Sequence, residues 1–302
     1  MADGSRDPQT LRSPLKWAGG KARTAATLAH LAPPDGFMRY IEPFCGSAAV
    51  FFAIRPGAAL LADAVPDLIV CLRAIRDEPN ALMALLDEMP NNQAYFDALR
   101  KIDGEHLDEL SRAARTLYFN KTAFRGLWRV NRHGEFNTPY GQYNRPYYNR
   151  ETLLAASAAL RCADLVCADF RETLQRCGPG DWVYLDPPYV PDRKWGDFTR
   201  YTPGKFGPND QNDLAAVLKD LDSRGVKWLL TNSNTTVARA LYRDWRLAVL
   251  PTRRDIALTV AERGSVDLVV SNYACAPGAT ITGHGEQVSS LCEDARGHSL
   301  RP

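Results

Sequence analysis

Residues 40–52, Tyr-Ile-Glu-Pro-Phe-Cys-Gly-Ser-Ala-Ala-Val-Phe-Phe, pass from an apolar strand-like run through a turn containing Gly46 into the start of a helix. In a doubly wound sheet, the first such turn is where backbone approaches a nucleotide-like ligand, because a small residue leaves room and the helix start offers unpaired N–H groups. The next run, Ala59-Leu-Leu-Ala-Asp63, ends in an acid seventeen residues after Gly46. That is close to the spacing at which an acid accepts from ribose hydroxyls in dinucleotide-binding folds. Taken alone, the pair also reads as a tight turn followed by a solvated aspartate, which is the commoner case.

Outward from this unit, short apolar runs recur at 164–169, 182–186, 227–233 and 266–273, most of them too continuously apolar for a sheet with one wet face. Between them, residues 211–222 place Leu214, Val217, Leu218 and Leu221 at helical spacing, and 235–245 carry a similar stripe. The alternation predicts an α/β chain with a doubly wound, mostly parallel sheet. It stops at 76–150, where 78–89 and 111–124 read as helices and the rest as loop or hairpin. We therefore divide the chain into a first catalytic part (1–75), an inserted helical lobe (76–150), a second catalytic part (151–275) and a tail (276–302). The tail has few large apolar residues, which predicts disorder, and it is excluded from the fold.

With 302 residues, 45% hydrophobic and 24% charged, the chain is large enough for a substantial core. It contains no apolar run of the roughly 20 residues that span a bilayer and no apolar leader, so a cytosolic protein is expected. Its seven cysteines are scattered without a C-x-x-C pair, which signals reduced thiols and no zinc site. A net charge of +2 argues for no polyanion by itself. Its distribution does: Arg112 to Arg150 holds eight Lys/Arg against one acid, Glu135, interleaved with nine aromatics and five asparagines. Such an island suits phosphate neutralisation, base reading and stacking, in DNA or RNA, and it also suits a solvated helix over an aromatic core.

Two further motifs carry chemistry. In Trp182-Val-Tyr-Leu-Asp-Pro-Pro-Tyr-Val190 an aspartate ends a strand where open α/β sheets bind ligands, and two prolines stiffen the turn after it. Asp186 and the Pro187 carbonyl can both accept from one exocyclic amino group while Tyr189 stacks on its ring, which makes the amine nucleophilic without a full base. A strand followed by a stiff turn is the plain alternative. Pro14-Leu-Lys-Trp-Ala-Gly-Gly-Lys-Ala-Arg23 precedes the first strand and is not a P-loop, and a structural turn explains its glycines equally well.

In order and spacing these motifs resemble the Dam family, the D12 class of DNA adenine N6-methyltransferases, from about Pro14 to Tyr273. The resemblance is carried by LKWAGGK, IEPFCGSAAVFF, LLAD, FRGLWRVNRHGEFNTPYGQY, YLDPPYVP, FTRYTPGKFGPNDQNDLAAVL, LLTNSN, and RRDIALT before SNY. It implies S-adenosylmethionine as co-substrate, with no metal, and double-stranded DNA as partner. Trp17, Lys21, Phe44, Gly46, Asp63, Asp169, Phe170 and Asp186 would line the cofactor pocket. Asp186, Pro187, Pro188 and Tyr189 would hold a flipped adenine. The hairpin around GLWRVNRHGEFNTPYG would read DNA through Arg125, Leu127, Arg129, Asn131, Arg132 and Pro139, with Lys16 beside it, at a GATC-like site. A monomer near the nucleoid, with a cognate restriction nuclease acting separately, completes the expectation. Three positions depart from the family pattern: Ala48 replaces a glycine, where its methyl either crowds the cofactor or fits if φ is negative, Val65 replaces an amide, at the expense of one polar contact, and Arg125 stands where GATC-reading members carry Asn. An RNA or other amine methyltransferase on the same fold, and a non-catalytic DNA-binding relative, remain open as alternatives.

Overall fold

The computed structural model describes residues 11–144, 146–190, 206–252, 265–275, 282–283 and 286–287. The 253–259 motif, most of the segment before Phe206 and most of the tail lie outside the described residues.

Seven strands form one sheet: β1 (Arg39–Glu42), β2 (Ala59–Asp63), β3 (Ala163–Cys167), β4 (Asp181–Leu185), β5 (Lys227–Ser233), β6 (Arg246–Thr252) and β7 (Ser265–Ser271), in the order β3-β2-β1-β4-β5-β7-β6. The first five are parallel, and β7 enters antiparallel between β5 and β6. The doubly wound, mostly parallel sheet expected from the alternation is therefore present. The edge strand β6 was not anticipated. It carries Pro251, and an edge is where a residue without an N–H is tolerated in a sheet.

Successive strand residues point to opposite faces, and the buried side chains divide accordingly. Tyr40, Leu61, Trp182, Tyr184, Leu229 and Val269 belong to one core, and Ile41, Leu60, Val183, Leu185, Leu230 and Leu268 to the other. The second core is covered by α8 (Phe170–Gln175), α9 (Pro208–Ser223) and α10 (Thr236–Leu241), which contribute Phe170, Leu214, Leu218 and Ala238. The first is covered by α1 (Ala25–His30), α2 (Ala49–Ile54), α3 (Pro66–Asp77) and α7 (Arg150–Leu160). It continues without a break into α4 (Pro79–Asp87), α5 (Gln93–Arg100) and α6 (Glu109–Thr122) through Leu82, Phe96, Leu117 and Phe119.

At the β3 edge, Cys162 O pairs with Ala59 N across to β2, so the carbonyls of Ala163 and Leu165 face outward. Arg73 Nη2 donates to Leu165 O at 2.7 Å and Arg76 Nη1 to Ala163 O at 2.8 Å. Two arginines of α3 thus occupy acceptors that would otherwise invite another strand.

Candidate active site at the sheet switch point

In this order the connections reverse direction between β1 and β4, and the crevice at the carboxyl ends of those strands is where such sheets bind ligands. The loop after β1 is tight. Gly46 has φ 46°, and a Cβ there would lie 2.9 Å from Trp17 Cδ1, so backbone and indole are in direct contact. Asp63, at the end of β2, ties this loop down: Oδ2 accepts from Gly46 N at 3.0 Å and Oδ1 from Val65 N at 3.1 Å. Burial raises the Asp63 carboxyl to about 6, outweighing the backbone bonds that pull it down. Val65 packs its side chain into the core and serves the site only through its amide. Ala48 has φ 53°, so the expectation that its methyl is accommodated by a negative φ is corrected. The loop takes the left-handed turn a glycine would take, with alanine bearing the strain.

Glu42, which ends β1, received no role from the sequence. It is fully enclosed: Tyr40 OH donates to Oε1 at 2.6 Å, while Oε2 has no protein partner. Burial is the main cause that lifts its carboxyl to about 8, with Asp186 and Asp63 adding to the rise. On the far side of the crevice Phe44 stacks on Phe170 at 5.4 Å, and Phe206 meets Phe44 edge-on at 5.7 Å. Asp169 caps α8 by accepting from Arg171 N at 2.8 Å. Arg171 lies over the Phe170 ring and reaches Asp210 on α9 at 2.7 Å.

The strand-end aspartate is held from two sides. Asp186 Oδ2 accepts from Lys21 Nζ at 2.7 Å and Oδ1 from Thr231 Oγ1 at 2.7 Å. A carboxylate offers about four lone-pair sites, so each oxygen keeps one for a further donor. Pro188 O accepts from Gln211 Nε2 at 2.8 Å, and Val190 N donates to Asn232 Oδ1 at 3.0 Å, which pins the carboxyl side of the two-proline turn. Tyr189 OH donates to Asp267 Oδ2 at 2.8 Å, and Lys21 Nζ lies 4.9 Å from its ring centroid. Burial first, and then the charges of Asp186 and Asp267, push the Tyr189 phenol well above its ordinary range, so it stays neutral and donating. Thr231, Gln211, Asn232 and Asp267 were missed by the sequence reading. For Thr231, Asn232 and Asp267 the available signal was polar residues inside the otherwise apolar runs 227–233 and 266–273; Gln211, on α9, carried no such signal.

The segment 123–140 is a hairpin, closed by the antiparallel bridges Ala123–Tyr140 and Val130–Phe136. Its side chains alternate. Gly126, Trp128, Val130, Phe136 and Thr138 are buried, whereas Arg125, Arg129, Arg132 and Pro139 are exposed and Leu127 is half-buried. Arg129 Nε donates to Asn137 Oδ1 at 2.8 Å on the outward face. Asn131 is committed to the turn, accepting from His133 N and Glu135 N and donating to Glu135 Oε2. Arg125 has φ 57°, a conformation asparagine adopts more cheaply, and its amide donates to Tyr143 OH at 2.7 Å. Lys16 is exposed beside this hairpin, its amide donating to Asn120 Oδ1 at 2.9 Å.

Residues 17–256 match the family model described as D12 class N6 adenine-specific DNA methyltransferase. This chain belongs to that family. Among its relatives, the type II methyltransferase M1.LlaDCHI of Lactococcus lactis subsp. cremoris is 34% identical over 273 residues, 87% of this chain and 96% of the relative. The DNA adenine methylase of Vibrio cholerae is 34% identical over 268 residues, again covering 87% and 96%. The type II methyltransferase M.MjaIII of Methanocaldococcus jannaschii is 32% identical over 284 residues, 86% and 98%. This D12 methyltransferase therefore acts on adenine in DNA. Among its described residues no helix is long and apolar enough to cross a membrane, and no group of three or more His, Cys, Asp or Glu side chains could hold a metal ion.

Proposed function

We propose that this D12 methyltransferase uses S-adenosylmethionine to methylate N6 of an adenine flipped out of double-stranded DNA. The observation that supports this reading most directly is Asp186, fixed at the mouth of the switch-point crevice by Lys21 and Thr231 with acceptor capacity to spare. The crevice fits the co-substrate by the chemistry of its lining. Asp63 brings a carboxylate at the end of β2, Lys21 a cation, and Trp17, Phe44 and Phe170 aromatic faces. These suit a ribose diol, a carboxylate and a purine respectively. Bound there, S-adenosylmethionine supplies an electrophilic methyl group on its sulfonium.

The protein's own work is alignment and electrostatics. Asp186 and the Pro187 carbonyl accept from the amino group, which draws the nitrogen lone pair out of conjugation with the purine. Tyr189, anchored through Asp267, offers its ring face to the extruded base, whose stacking replaces part of what leaving the duplex costs. Arg129, Leu127 and Pro139 share the outward hairpin face and are our candidates for reading the site, with Lys16 alongside. Arg125 and Arg132 are candidates for phosphate contacts, while Asn131 supports the turn that presents them. Segment 76–150 acts in this reading as the recognition lobe, and a GATC-like sequence is the proposed target.

The test is transfer of labelled methyl from S-adenosylmethionine to duplex DNA, with nucleoside analysis of the product. Asp186→Ala is expected to reduce the rate by about 10²- to 10³-fold, comparable to losing a main electrostatic contact, while DNA retention changes little. Undiminished transfer in that variant sinks the assignment. Modification-sensitive sequencing of DNA from expressing cells identifies the site, and a methylated motif without GATC refutes that part.

A further inference from the structure

The inward face of the hairpin leads directly to the cofactor loop. Trp128 sits between Leu127 and Arg129 and is buried, because alternation turns it away from the outward face. Its indole stacks on Trp17 at 6.3 Å between centroids and 20° between planes. Trp17 in turn touches Gly46, where even a methyl group would come within 2.9 Å of its ring. Behind Trp128 the rings continue: Phe136 at 5.1 Å, then Phe119 of α6 stacked on Phe136 at 4.4 Å and 7°.

The backbone takes the same route. The Asn120 side chain, near the end of α6, bonds both the amide and the carbonyl of Lys16. A Cβ at Gly126 would lie 2.8 Å from Asn120 O and 2.9 Å from Lys16 Cδ. Four residues beyond Trp17, Lys21 reaches Asp186. Residues 16–21 are thus wedged between the hairpin and the catalytic crevice. A shift of the hairpin cannot be absorbed by loose packing, because interiors of this density transmit displacement to the next contact.

We propose that Trp128 is a positioning residue for methyl transfer, tying the seating of the hairpin on DNA to the shape of the cofactor loop through its stack on Trp17. The proposal rests on the S-adenosylmethionine and DNA reading above. Its thermodynamic content is reciprocal: a ligand that fixes the Gly46 loop tightens DNA binding, and DNA tightens that ligand by the same factor. A stack that served only as packing would affect stability and leave this factor alone.

The experiment measures binding of a fluorescent duplex carrying the methylated site returned by sequencing, with and without saturating sinefungin, a non-reactive analogue of S-adenosylmethionine. For the full wild-type chain, sinefungin is expected to tighten the duplex about 5- to 150-fold, the usual range of coupling between two sites. In Trp128→Leu the factor should fall to within about 2-fold of unity, and Trp128→Phe, which keeps a flat ring, should recover most of it. If the leucine variant fails to fold, Trp128→Met removes the ring while its unbranched, flexible side chain adapts to the irregular space. A wild-type factor of one overturns the proposal, as does a wild-type factor retained in the folded leucine or methionine variant. Calorimetry of sinefungin with protein alone separates the two levels: absence of binding there removes the cofactor reading itself, and the coupling with it.

Discussion

Ala48 and Glu42 stand six residues apart on either side of the same loop, and each carries a cost that side-chain identity alone conceals. Left-handed backbone costs an alanine about 1–2 kcal/mol. Changing it to glycine also gives up a buried methyl of about 0.8 kcal/mol and adds unfolded-state freedom of about 0.5–1 kcal/mol. The terms nearly cancel, so Ala48→Gly is expected within about 1 kcal/mol of wild type in urea unfolding, whereas Ala48→Val should lose more than about 2 kcal/mol because a β-branched residue is a genuine outlier at this φ. Glu42 has a folded pKa raised from the ordinary 4.5 to about 8, so the folded state holds a proton that the unfolded state has released. Its favourable contribution is complete below pH 4.5 and is lost as pH rises towards 8. Glu42→Gln cannot titrate, and its melting temperature relative to wild type should climb between pH 4.5 and 8; a constant difference across that window contradicts the assignment. Asp186 and Asp63 stood out because each places a charge at a strand end, whereas Lys21, in the turn before α1, was named only through the family resemblance. Glu42 did not stand out, because one acid in an apolar run looks the same whether it faces water or is walled in by Tyr40.

The parallel strands were legible as elements, since burial on both faces leaves continuous apolar runs, and so were α9 and α4, with their apolar stripes. β6 was not, because Pro251 marks its sequence as a connection unless one knows it lies at an edge. The basic island shows a different limit. Its composition fitted both a nucleic-acid-reading surface and a solvated helix over an aromatic core; Arg112 pairs with Asp67, and Tyr118, Phe119, Trp128 and Phe136 are core. Composition reports which residues are present, and only the period-two alternation of the hairpin sorts readers from anchors. At the opposite edge of the sheet, Arg73→Ala with Arg76→Ala removes charge-assisted bonds to two outward carbonyls of β3. With both arginines half exposed, the expected loss is about 1–3 kcal/mol. Light scattering on partial unfolding should rise as well, and an unchanged urea midpoint would show that the arginines are dispensable to the edge.

At the scale of the molecule, the helical insertion is continuous in packing with one face of the sheet, and the residues proposed to read DNA and to transfer methyl stand on one connected core. Family membership and fold agree with what the motif order implied, while the contacts that join hairpin to crevice could not be read from the chain, because Trp17, Gly46 and Trp128 are far apart in sequence and their meeting is a product of topology. The reversed strand β7 has a consequence in time. It is the last of the seven strands to leave the ribosome, yet it takes a place between β5 and β6, and it carries Asp267, the anchor of Tyr189. While the chain is still being made, β6 has no strand to join and the ring proposed to receive the base has no tether. The surroundings of Tyr189 are therefore completed only once β7 has taken its place between β5 and β6.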